Sequence, residues 1–87
     1  MYLAILYHPN NEFARATEEL VEDMKAQTDK QVVFIDVDTK DGSVKANNYG
    51  VIDYPAFIVL TDDGQPYYMW QGPVLPAISE VVSYLNI

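Results

Sequence analysis

The sequence predicts an α/β domain: a three-layer α/β/α sandwich on a four-stranded mixed sheet, with elements in the order β-α-β-α-β-β-α. Three observations carry this. A continuous apolar run, Tyr2 to Tyr7, is followed by a segment with helical apolar spacing. A second β-branched run, Gln31 to Asp38, comes after that helix. The turn sequence DDGQP then joins two further apolar runs, and a last amphipathic segment closes the order. Strand-helix-strand order calls for a parallel pair with a right-handed crossover, whereas a tight turn calls for an antiparallel one. Helices on both faces of the sheet account for every apolar stripe.

Tyr2–Tyr7 reads as a strand buried on both faces, because it is apolar without alternation. Pro9 lacks the N–H a ladder needs, so the strand stops there. Asn10 or Asn11 is placed to cap the next helix, whose stripe is Phe13, Thr17, Leu20, Val21 and Met24 and which ends near Gln27. Arg15 and Glu19 are one helical turn apart and can pair. Gln31–Asp38 is β-branched and mostly apolar, which predicts a central or nearly central strand. A short helix is expected over about Ser43–Tyr49, capped by Asp41 or Ser43 and ended by Gly50 in the left-handed conformation. Ala56–Thr61 and Tyr67–Gln71 form a hairpin, with Tyr68 and Trp70 on one face and Tyr67 and Met69 on the other. The final helix starts around Pro76 and buries Ile78, Val81, Val82 and Leu85.

Eighty-seven residues suit a single domain, 1–87, and 49% apolar residues suffice for its core. The absence of cysteine removes disulfides, thiolate catalysis and cysteine-ligated metals together. It fits a reducing, cytoplasmic setting. With five Lys and Arg and a formal charge of −8, the chain is a poor partner for nucleic acid or anionic membrane. MYLAILYHP lacks a basic segment and reads as a strand rather than a signal peptide. No metal or cofactor is implied: His8 is the only histidine and has no evident co-ligands in the sequence. Asp36 and Asp38 read as solvated residues, and Asp62 and Asp63 as turn residues.

The element order and several local features resemble the thioredoxin-like family. They are Val37-Asp38 ending a strand, Tyr49-Gly50 ending a short helix, Tyr54-Pro55 before a strand, Asp63-Gly64 in a hairpin and Gly72 after the last strand. The resemblance covers essentially the whole chain. It implies a cis bond before Pro55 and a Tyr54 backbone beside the first long helix, where family members pair with extended peptides or glutathione. Family members commonly carry C-x-x-C at the opening turn. Here Asn11-Glu12-Phe13-Ala14 stands on that motif, followed by Arg15, so Asn11 and Ala14 hold the sulfur positions. Neither side chain forms a thiolate, and thiol–disulfide exchange cannot proceed. Ile5 or a neighbour occupies the region where thioredoxins bury an acid.

The expectation is therefore a redox-inactive thioredoxin-like domain that binds a protein or peptide. Its candidate binding residues are Tyr7, His8, Asn10, Asn11, Ala14, Tyr54, Pro55 and Trp70, with no catalytic residue assigned. Trp70, Tyr54, Tyr7 and the HPNN turn are expected around one end of the sheet. Two alternatives stand beside this one. Tyr7 lies near the strand end where many glutathione transferases stabilise a bound thiolate, although the acid-Ser pair of those enzymes has no counterpart in Gly72-Pro73-Val74-Leu75. The edge strand YYMWQ also suits assembly, leaving the chain a monomer or a weak homodimer.

Overall fold

A computed structural model describes residues 1–87. The elements are β1 (Tyr2–Tyr7), α1 (Ala14–Lys25), β2 (Val32–Asp36), α2 (Lys40–Tyr49), β3 (Ala56–Leu60), β4 (Pro66–Gln71) and α3 (Ile78–Leu85). The sheet runs β2-β1-β3-β4. β1 and β2 are parallel, and the β1–β3 and β3–β4 pairs are antiparallel.

Two cores follow from the alternation of side chains along the central strands. Leu3 and Ile5 of β1, with Phe57 and Val59 of β3, meet Val21 and Met24 of α1 and Val81 and Leu85 of α3. Ala4 and Leu6, with Ala56, Ile58 and Leu60, face the other way and meet Ala46 of α2, Val37 and Val51. The unbroken apolar runs of β1 and β3 thus record two covered faces.

Several expectations are corrected. β2 is an edge strand and is only half-buried, because β3 occupies the other flank of β1. Its apolar residues are covered piecemeal instead: Tyr7 lies against Phe34 and the Lys25 ammonium sits over the same ring at 5.8 Å. β2 also ends at Asp36, before Asp38, and α1 ends at Lys25, before Gln27. Phe13 does not join the α1 stripe; it precedes the helix and is 58% exposed.

α2 starts earlier than expected, at Lys40. Thr39 caps it, not Asp41 or Ser43: its Oγ1 accepts from the Gly42 N–H at 3.0 Å and donates to the Asp36 carbonyl at 2.7 Å. Gly42 lets α2 approach β2 closely, since a Cβ there would fall 1.9 Å from the Asp36 carbonyl oxygen. Gly50 ends α2 at φ 72°, as its conformational freedom permits. α3 begins at Ile78, after Pro76, with Val81 and Leu85 fully buried.

The hairpin holds one further correction. Val59 faces Tyr68 but Leu60 faces Pro66, so Tyr67 is an extra residue, a β-bulge. The bulge re-aims Tyr67 toward Tyr84 of α3, the side already occupied by Tyr68 and Trp70. Met69 alone of these residues packs toward the α2 side.

Candidate functional site

The β1–α1 turn is built by its own backbone. The Asn11 N–H donates to the His8 carbonyl at 3.0 Å, and the Ala14 N–H to the Asn11 carbonyl at 3.1 Å. Asn11 Oδ1 accepts from the Phe13 N–H at 2.8 Å. The expected Asn cap therefore acts on a leading turn, ahead of the helix proper, while Phe13 occupies the cap position of α1 without a side-chain bond. The N–H groups of Glu12, Arg15 and Ala16 make no hydrogen bond within the chain.

Beside this turn runs the Val51–Pro55 loop. Gln71, the last residue of β4, holds it through Oε1, which accepts from the Ile52 and Asp53 N–H groups at 2.9 and 3.1 Å. The Gly72 N–H donates to the Pro55 carbonyl at 3.3 Å. The Tyr54-Pro55 bond is cis. Between these anchors, the Tyr54 N–H and carbonyl have no partner within the chain.

A hollow lies between the two segments, lined by Tyr7, His8, Asn11, Phe13, Ala14, Thr17, Tyr54 and Pro55. It encloses about 240 Å³ including its open mouth. Small-molecule sites run to roughly 300–1,000 Å³ of enclosed space; since much of the volume here is open solvent at the mouth, the hollow falls well short of that and suits one side chain rather than a cofactor.

Its polar groups are tied to the scaffold. The Tyr7 hydroxyl donates to Glu18 Oε2 at 2.8 Å. Burial, and then the Glu18 carboxylate, push its pKa from 10.0 up to about 12. His8 Nδ1 lies 2.7 Å from Asp38 Oδ1, and its ring stands edge-on to Tyr54 at 4.8 Å. Nε2 is left without a partner in the chain. The site holds no cysteine, and no group of three or more His, Cys, Asp or Glu side chains is placed to hold a metal. Ile5 is fully buried between the sheet, α1 and α3.

Of the residues named from sequence, Tyr7, His8, Asn11, Ala14, Tyr54 and Pro55 come together here. Asn10 is exposed on the turn and does not line the hollow. Trp70 does not line it either. Its indole Nε1 donates to Glu80 Oε1 at 2.9 Å, and its ring packs with Tyr68 and Tyr84 against α3. The expectation of a single groove containing Trp70 is not met: the ring lies on the same side of the sheet as α1, but on the outer strand and over α3, away from the turn. Sequence reasoning also missed Glu18, Asp38 and Gln71 as supports. Asp38 could have been found: parallel pairing sets Tyr7 beside Asp36, which brings the residues just beyond each strand end together.

No family model and no curated protein matches the sequence. Among solved structures, the chain is similar to thioredoxin 1 of the thermophilic eubacterium Thermosipho africanus TCF52B. The TM-score is 0.73 at 16% identity, over 99% of this chain and 91% of that one. No helix is long and apolar enough to cross a membrane. The architecture, the strand order and this likeness together show that the chain, which has no cysteine, adopts the thioredoxin-like fold.

Proposed function

We propose that this chain binds an extended segment of a partner protein, laid along Tyr54 with one side chain in the hollow. The observation that carries the reading is the Tyr54 backbone. Its N–H and carbonyl are unpaired, on a loop fixed at both ends by Gln71 and Gly72. Strand addition gives a partner main-chain hydrogen bonds, while a pocket selects its side chain. The Phe13, Tyr54 and Pro55 surfaces favour an apolar side chain, with His8 Nε2 available to a neighbouring carbonyl or carboxylate.

The small-thiol alternative is weakened by Tyr7. Its proton is already committed to Glu18, so it is not free to donate to a thiolate. The lack of cysteine suits a reducing cytoplasm, where the partner would be sought.

Selection from a displayed peptide library tests the reading. Ala14→Leu fills the hollow at its helical wall. Selected peptides should lose at least about tenfold in affinity for this variant, the loss of roughly 1.4 kcal/mol expected when one anchor is excluded. Equal binding to both proteins, with the variant folded, would place the peptide elsewhere.

A further inference from the structure

We propose that β4 is a self-pairing edge. Two copies of this chain join antiparallel through Tyr68–Gln71, about a two-fold axis at Trp70, so that one sheet runs across both. The proposal concerns a surface away from the hollow and does not rest on peptide binding.

The backbone sets the register. β4 pairs with β3 alone, so its outer side has no strand. The Gly72 N–H bonds the Pro55 carbonyl, and Trp70 faces Phe57 two residues further along. Antiparallel ladders alternate, so Tyr68 and Trp70 spend their backbone groups on β3, and those of Met69 and Gln71 point outward. Pro66 and the bulge at Tyr67 disturb the first half of the edge. What remains is Tyr68–Gln71. An axis at Trp70 sets Met69 opposite Gln71 of the second copy, and each such pair exchanges both of its hydrogen bonds. The two Trp70 residues then form the non-bonded pair, with Cα atoms roughly 4.5 Å apart and side chains on one face.

Charge favours this edge over the other for pairing with a second copy. Each chain carries −8, and two like-charged copies repel. β4 itself carries no charged residue, and Glu80, which accepts the Trp70 indole N–H, is held on the α3 side, so β4 is the less charged edge. The opposite edge, β2, ends in Asp36 and is flanked by Asp29 and Lys30. The side chains suit a contact too. Tyr68 stacks on Tyr84 at 4.3 Å and packs on Trp70 at 4.7 Å, so the rings are already ordered. Tyr67 and Tyr68 are nevertheless 47% and 41% exposed. Exposed, pre-ordered Tyr and Trp are the side chains that dominate binding surfaces. A two-fold axis aligns both sets into one strip.

Sedimentation equilibrium over micromolar to millimolar protein, with amide hydrogen exchange over the same range, tests this. The mass should approach double the monomer's, and the Met69 and Gln71 amides should slow as concentration rises, while those of β2 do not. Met69→Pro removes one outward N–H and should remain monomeric with an unchanged far-UV spectrum. A wild-type chain that stays monomeric throughout overturns the proposal. So does a dimer whose protection falls away from Met69 and Gln71, or a folded Met69→Pro variant that dimerises like wild type. The exchange measurement uses the wild-type chain and decides the question even if the proline variant does not fold.

Discussion

Aromatic side chains collect in two places, and they are held differently. Around the hollow, two of the four rings are tied to the scaffold by a polar partner, Tyr7 to Glu18 and His8 to Asp38, while Phe13 and Tyr54 form its apolar wall. On the β4–α3 face, Tyr67, Tyr68, Trp70 and Tyr84 are held chiefly by one another. The first arrangement builds a concavity whose walls are fixed while the Tyr54 backbone stays open. The second builds a flat face whose rings are ordered yet exposed. The difference teaches that aromatic content alone does not locate a site; what the polar end of each ring touches decides its role.

Substitutions can break the two regions separately. The largest effect is expected from Gly42→Ala. Its Cβ meets the Asp36 carbonyl, so α2 must move off β2, costing about 3 kcal/mol as overpacking does. Amide shifts should spread through Asp36–Asp38 to His8 and leave the β4–α3 face alone. Trp70→Ala does the reverse. Removing a partly buried indole should cost about 2 kcal/mol by chemical denaturation, less than a fully buried aromatic. Peptide affinity at the hollow should stay within about twofold, a change of less than 1 kcal/mol.

Tyr7→Phe should cost about 1 kcal/mol, the usual contribution of one hydrogen bond. It should also change the alkaline limb of stability. The folded chain holds the phenol proton more tightly than the unfolded chain. That stability is therefore complete below pH 10 and is lost as pH rises from 10.0 through about 12. The Phe variant should show a shallower loss over the same interval in urea titrations. The smallest effect on folding is expected for His8→Ala. The His8–Asp38 pair is partly exposed, and such pairs contribute from nothing to about 1 kcal/mol, typically less than a buried hydrogen bond. Its effect should appear in peptide affinity instead; unchanged affinity would remove His8 from the site.

Much of this was readable in the residues. The unbroken apolar run reported β1 as doubly covered, Gly50 marked the end of α2, and the family resemblance at Tyr54-Pro55 placed that loop beside the first helix. What was not readable depended on neighbours that local pattern does not name. β2 looks central because its residues are apolar, but its rank in the sheet is decided by where β3 docks. Tyr67 breaks alternation because the hairpin register inserts a bulge. Trp70 misses the expected groove because β4 is the outer strand, which sets the ring over α3, where Glu80 accepts its indole N–H. Phe13 fits the helical period but precedes the first helical turn, so it meets solvent at the mouth of the hollow.

The most direct test of the account is a nitrogen–proton correlation spectrum, recorded at fixed protein concentration while selected extended peptides are added. The account predicts that the His8, Ala14 and Tyr54 amides shift together, saturably, and that Tyr67–Trp70 and Tyr84 stay in place. Shifts confined to the β4–α3 face, with His8, Ala14 and Tyr54 unmoved, would contradict it.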